Sequence, residues 1–174
     1  MFTTEIIDAL TGYTANMKNR VTFVLKAGSH PKHHELADFL STVANVSELI
    51  KLEIKEDARL RSPVSFLLER DGEDTGIRFS GIPSGHEFNS LILAVLQASG
   101  TDLKLDSSLK TLISKVSKPM HFEVFVSLNC HNCPDVVQAL NQFALLNDNI
   151  SAEMIDGGLF QDIINERDIQ GVPS

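Results

Sequence analysis

The sequence predicts an α/β fold made of two related βαβ-type units in tandem, and three observations carry that reading. Strand-like alternation and helix-like spacing take turns along the chain. The same pattern begins again 101 residues later, and a Cys-x-x-Cys pair falls at a strand-to-helix junction in the second copy alone. Length and composition allow such a fold: 174 residues, 43% hydrophobic and 22% charged, is the balance of a globular chain with enough apolar surface for a core. The longest uninterrupted apolar run, Leu91 to Leu96, falls far short of the roughly 20 residues that span a bilayer. Met1-Phe2-Thr3-Thr4-Glu5 lacks the basic start and apolar middle of a secretory leader, so the expected location is the reducing cytoplasm. The formal net charge of -8 repels phosphate backbones and anionic lipid, so neither nucleic acid nor a membrane is an expected partner.

The elements follow in order. An amphipathic helix runs from Glu5 to about Met17, and Val21 to Leu25 alternates as a strand. Leu36, Phe39, Leu40, Val43 and Ala44 recur at helical spacing, and Ile50 to Lys55 alternates as a second strand with one buried face. Pro63 opens an apolar run, Val64 to Leu68; Asp71-Gly72 marks a turn, Ile77 to Ser80 reads as the returning strand, and Glu87 to Ala98 is a strongly apolar helix. The first half is therefore βαββα. Thr101 to Pro119, with Leu109, Leu112, Ile113 and Val116 at helical spacing, reads as a connecting helix.

The second half repeats the first in pattern rather than identity. At an offset of 101, Val21, Phe23 and Leu25 meet Phe122, Val124 and Val126, while Leu36 and Phe39 meet Val137 and Leu140. Ile50, Leu52 and Ile54 meet Ile150, Ala152 and Met154 at an offset of 100, a one-residue difference in a loop. The expected organisation is a first unit at 1–100, a connector at 101–119 and a second unit at 120–174. Cys130 and Cys133 fall opposite Ser29 and Lys32, so only the second unit carries a dithiol. Between Met154 and Pro173 there is room for an extra short helix, Leu159 to Arg167.

Cys130-His131-Asn132-Cys133 follows the buried-type strand Val124 to Leu128 and precedes a helix marked by Val136, Val137, Leu140, Phe143 and Ala144. Free N–H groups and the positive end of the dipole at a helix start favour an anion, which lowers a thiol from about 8.5 toward roughly 3.5 to 7.5. Cys130, placed at the cap, is the expected nucleophile. Cys133, one turn further in, is the expected resolving thiol, and Pro134 sits in the first turn where proline is tolerated. The same spacing also fits half of a zinc site, with His30-x-x-His33 the one helpful second half, and the two cysteines could be incidental to a binding module. Glu87, at the start of the apolar helix, reads either as a partly buried acid serving the thiols or as a carboxylate stabilising its own helix dipole. No G-x-G-x-x-G turn follows a strand, so no dinucleotide-binding segment is expected here.

The order strand, CxxC, helix, strand, followed by Gly171-Val172-Pro173, resembles the thioredoxin-like fold, in which a cis-proline after a valine lies beside the dithiol; Pro173 takes that place. Longer runs are similar to the N-terminal domain of the alkyl hydroperoxide reductase flavoprotein subunit: Cys130 to Asn141, Ile155-Asp156-Gly157-Gly158, and Gly81 to Phe88. The likeness covers essentially the whole chain and implies two tandem thioredoxin-like, glutaredoxin-like folds, with the redox-active disulfide Cys130–Cys133 in the second. It implies an electron carrier that takes reducing equivalents from NADH through FAD in a flavoprotein body outside this chain and passes them to a peroxiredoxin. Cys130, Cys133, Pro173 and Glu87 are the site residues it suggests, a homodimer is left open, and a stand-alone glutaredoxin-like disulfide reductase would share the chemistry. The first unit continues from Pro63 through two strands and a helix, whereas the second stops at Ser174, so the second fold is expected to be truncated and its dithiol strand short of an antiparallel neighbour.

Overall fold

The computed structural model describes residues 2–174. Its elements are α1 (Thr4–Thr14), β1 (Val21–Lys26), α2 (His33–Ala44), β2 (Ile50–Lys55), β3 (Ser65–Arg70), β4 (Glu73–Ser80), a 3-10 turn (Gly85–Glu87), α3 (Phe88–Ala98), α4 (Ser107–Ser114), β5 (Met120–Val126), α5 (Cys133–Leu146), β6 (Ile150–Asp156) and α6 (Gln161–Glu166). The fold class is the expected one, with element ends moved by a few residues. The first helix stops at Thr14, three residues before Met17, and the dithiol strand runs Met120–Val126, leaving Leu128 in the loop. Side-chain caps set two helix starts: Thr3 accepts from the Ile6 N–H at 3.2 Å, and Asp106 accepts from the Leu109 N–H at 2.8 Å.

The two units share one sheet. Its strand order is β2-β1-β3-β4-β6-β5, with β3 antiparallel to its two neighbours and all other pairs parallel. The seam between the units is the parallel pair β4–β6, where Ile77 to Ser80 lie opposite Ala152 to Ile155. Alternation along each strand then decides what each face holds. Val21, Phe23, Leu25, Phe66, Leu68, Ile77, Phe79, Val124, Val126, Ile150 and Met154 form one continuous core with α1, α2, α3 and α5. Phe66 anchors its centre, stacked on Phe79 with ring centroids 5.2 Å apart and edge-on to Phe23 at 5.7 Å.

The opposite face is largely polar. Val24, Leu60 and Leu67 make a small apolar cluster there, Phe125 and Ile155 are buried on the same side of β5 and β6, and charged side chains lie around them. Arg59 bonds Asp57 and lies within 3.7 Å of Glu69 and 3.4 Å of Asp74. Arg61 forks onto the Glu153 carboxylate at 2.5 and 3.0 Å and reaches Glu123 at 3.2 Å, while Arg167 just beyond α6 also pairs with Glu123. On the outer side of β5, Ser174 exchanges both backbone hydrogen bonds with Phe125, an antiparallel contact of one residue at the sheet edge.

Candidate functional site: a disulfide at the start of α5

Five parallel strands, β1, β2, β4, β5 and β6, end on the same edge of the sheet, and the cysteine loop stands there between β5 and α5. Cys130 and Cys133 are joined as a disulfide, with Cα atoms 5.5 Å apart. Cys133 is the first residue of α5 and has no solvent exposure; Cys130 is partly exposed. The helix cap is Asn132, two residues later than the cap position expected for Cys130, and Asn132 makes no side-chain cap bond. The free end of the helix serves the sulfur instead: the Cys133 N–H donates to Cys130 Sγ at 3.2 Å. That donor and the dipole behind it favour a thiolate on Cys130 once the disulfide is opened. Pro134 follows in the first turn, where its missing N–H removes no helical bond.

The Val172–Pro173 peptide bond is cis, and the Val172 carbonyl oxygen lies 4.0 Å from Cys130 Sγ. Val172 beside the disulfide and Val136 in the first turn of α5 are each 37% exposed.

The first unit contributes the other wall. Gly85 takes φ +57, and a Cβ there would lie 2.6 Å from the Leu128 carbonyl oxygen, so only glycine lets this turn meet the cysteine loop. The next residue, His86, donates its backbone N–H to that same oxygen at 3.0 Å. Its ring lies against that of His131, with centroids 4.3 Å apart. Sequence reasoning misses this histidine pair, because its members are 45 positions apart in different units; the one available signal is the Gly85-His86-Glu87 turn itself.

Glu87 is fully buried, and neither of its carboxylate oxygens has a hydrogen-bond partner. Burial pushes its carboxyl up to about 7, with the nearby Ser90 hydroxyl pulling back only in part. It stands at the cap position of α3 and makes no side-chain cap bond there. A second carboxyl at the edge, Asp156, is also raised by burial and is held in part by the Gly158 N–H at 2.9 Å.

The zinc alternative meets a geometric obstacle. His30 and His33 stand at the start of α2 above β1, which β3, β4 and β6 separate from β5, four strand spacings or about 19 Å. His33 is bonded to the Pro63 carbonyl at 2.7 Å, and no three His, Cys, Asp or Glu side chains gather as a metal site among the described residues. Among the described residues no helix is long and apolar enough to cross a membrane.

A mixed sheet with a CxxC disulfide at a helix start and a cis-proline beside it defines a thioredoxin-fold dithiol–disulfide domain. The family model for the thioredoxin domain matches residues 120–174. A crystal structure of the NTD_N/C domain of the alkyl hydroperoxide reductase AhpF from Enterococcus faecalis superimposes with a TM-score of 0.91 at 37% identity, covering 99% of this chain and 88% of that one. The chain belongs to the family of N-terminal domains of the alkyl hydroperoxide reductase AhpF. The AhpF protein of Staphylococcus aureus is 45% identical over 158 residues, 91% of this chain, and the chain spans 30% of the length of that relative. A protein disulfide oxidoreductase from Aeropyrum pernix, at 18% identity and a TM-score of 0.85, shares the fold.

Proposed function

We propose that this chain is a two-electron relay that accepts reducing equivalents from an NADH- and FAD-dependent body and delivers them to the disulfide of a peroxiredoxin. The observation that carries the reading is the pairing of one partly exposed cysteine in the loop with one fully buried cysteine at the start of α5, with a helix N–H aimed at the sulfur of the exposed one. The Cys130 thiolate attacks one sulfur of the partner's disulfide and expels the other as a thiolate, leaving a mixed disulfide. Cys133 then attacks Cys130 Sγ, the intramolecular disulfide closes, and the partner's second sulfur leaves as a thiolate. Two electrons pass to the partner, whose two sulfurs take up protons. Pro173 shapes the mouth in which the partner's chain lies against Cys130. Glu87 accepts the proton that Cys133 gives up, a role suited to a buried carboxyl that titrates near neutral pH.

Trapping tests the order of attack. A Cys133→Ser chain should accumulate a stable mixed disulfide with an oxidised peroxiredoxin through Cys130, and a Cys130→Ser chain should accumulate none. Equal trapping by both variants, or trapping by Cys130→Ser alone, would refute the assignment. Transfer to a small-thiol disulfide that matches or exceeds transfer to the peroxiredoxin would move the reading to a stand-alone glutaredoxin-like reductase.

A further inference from the structure

Five buried side-chain atoms lack a hydrogen-bond partner among the described residues, and four of them lie on one interface: Glu87 Oε1 and Oε2, Gln97 Nε2 and Asn141 Nδ2. That interface is the contact of α3 with α5, which brings the two units together beside the β4–β6 seam. Each helix leaves the same sheet edge after a parallel strand, so the two run side by side in the same direction.

The polar side chains fall on the facing stripes of the pair. Gln138 Nε2 donates to Ser90 Oγ at 3.1 Å and fixes the register. Glu87 precedes Ser90 by three residues and Gln97 follows it by seven, one helical face; Asn141 and Gln142 follow Gln138 by three and four, the matching face. Ser90 has no exposure, and Asn141, Gln97 and Gln142 have 2%, 4% and 5%. At 1.5 Å per residue the stripe runs about 15 Å from Glu87 to Gln97. Its far end meets the segment before α4, where the Lys104 N–H donates to Gln142 Oε1 at 2.7 Å.

Such a stripe is out of character for α3, whose Leu91, Ile92, Ala94, Val95 and Ala98 all enter the core. Buried amides and carboxylates are nearly always partnered. Here the unpartnered atoms are chemically complementary: amide donors at one end, carboxylate acceptors at the other, and a hydroxyl between. Water both donates and accepts, and buried water characteristically bridges such groups.

We propose that the α3–α5 seam holds a chain of water molecules through which the Glu87 proton exchanges with solvent, with Ser90, Gln138, Asn141 and Gln97 as positioning residues. The proposal rests on Glu87 taking the proton released by Cys133 as the disulfide closes; the seam then returns that proton to bulk and supplies one on reduction, so nothing accumulates. α3 carries no titratable group, and α5 carries only Asp135, which is exposed, and Cys133.

The test is the infrared carbonyl stretch of protonated Glu87 in the oxidised chain near pH 5.5, above the range of ordinary carboxyls and below this one, identified by its loss in Glu87→Gln. On transfer to D2O the band shifts as the carboxyl proton is replaced. In the Asn141→Leu, Gln97→Met double variant the shift should be slowed by about tenfold or more, as expected when bridging partners are lost. Asn141→Ser, which keeps a water partner, should exchange as fast as the unaltered chain. If the double variant does not fold, Gln97→Met alone makes the same comparison. Equal exchange rates in the unaltered and apolar variants would overturn the seam and route the proton through the mouth past His86 and His131. Failure of the underlying assignment reads out separately: Glu87→Gln would then leave the pH profile of thiol alkylation in the reduced chain unchanged.

Discussion

Glu87 sets an energetic cost with a definite pH window. Its carboxyl is raised to about 7 by burial, whereas in the unfolded chain it titrates near 4.3. The folded state therefore prefers the protonated acid, and the stability associated with it is full below about pH 4.3 and is lost as pH rises toward 7. A difference of between two and three pH units corresponds to about 3 to 4 kcal/mol. Glu87→Gln, which cannot ionise, should thus gain stability over the unaltered chain by about 3 kcal/mol between pH 5 and pH 8. Denaturant unfolding of the oxidised forms at the two pH values checks this, and a gain that stays constant with pH would show that the carboxyl is solvated. Asp57 behaves in the opposite sense. Its hydrogen bonds from Arg59 hold it down near 2, so its contribution is present above about pH 4 and fades only as the solution approaches pH 2. The two cysteines were legible as a pair because spacing alone defines them. The burial of Glu87 was not, since a carboxylate at a helix start looks the same in sequence whether it caps the helix or lies under a neighbouring loop.

At the scale of elements, the segment between β2 and β3 replaces a helix with a short run of charged side chains that reach across the sheet. Arg61 comes from the first unit, and its guanidinium is bidentate on Glu153 of β6, a residue with 6% exposure that also accepts from Ser80 Oγ at 2.6 Å. Removing the arginine leaves that carboxylate buried with a hydroxyl and the more distant His121 as its company. Arg61→Ala should destabilise the chain by about 3 kcal/mol, whereas the paired change Arg61→Met with Glu153→Gln should recover most of it, because no buried charge is then unpaired. Thermal unfolding of the single and paired variants distinguishes the outcomes, and equal losses in both would mean that packing of the arginine stem matters more than its charge. The alternating strands and the periodic helices on the core face were readable because their apolar period is local. Arg61 and Glu153 are 92 positions apart, and no local period links them.

For the whole molecule the question is whether two repeated units fold as two or as one. The repeat in the sequence suggests two, and the offset of 101 residues divides the chain cleanly. Strand partners are a long-range property, however, and β4 finds β6 across the connector, so that one core cluster holds Leu10 at one end and Met154 at the other. Gly76 sits where these strands first meet. Its φ is +84, and a Cβ there would lie 2.7 Å from the Ile150 carbonyl oxygen and 3.3 Å from Ala144 of α5. Gly76→Ala should therefore cost about 3 kcal/mol, from the left-handed backbone and the forced separation of β4 from β6 together. Tyr13, the sole tyrosine in a chain without tryptophan, reports on α1, and labelling of the buried Cys133 thiol in the reduced chain reports on α5. If the shared sheet makes one cooperative body, both probes follow one denaturant transition, and Gly76→Ala moves both midpoints by the same amount. If labelling of Cys133 moves while Tyr13 holds, the second unit opens alone, and the β4–β6 pairing is a contact between independent folds rather than the spine of a single one.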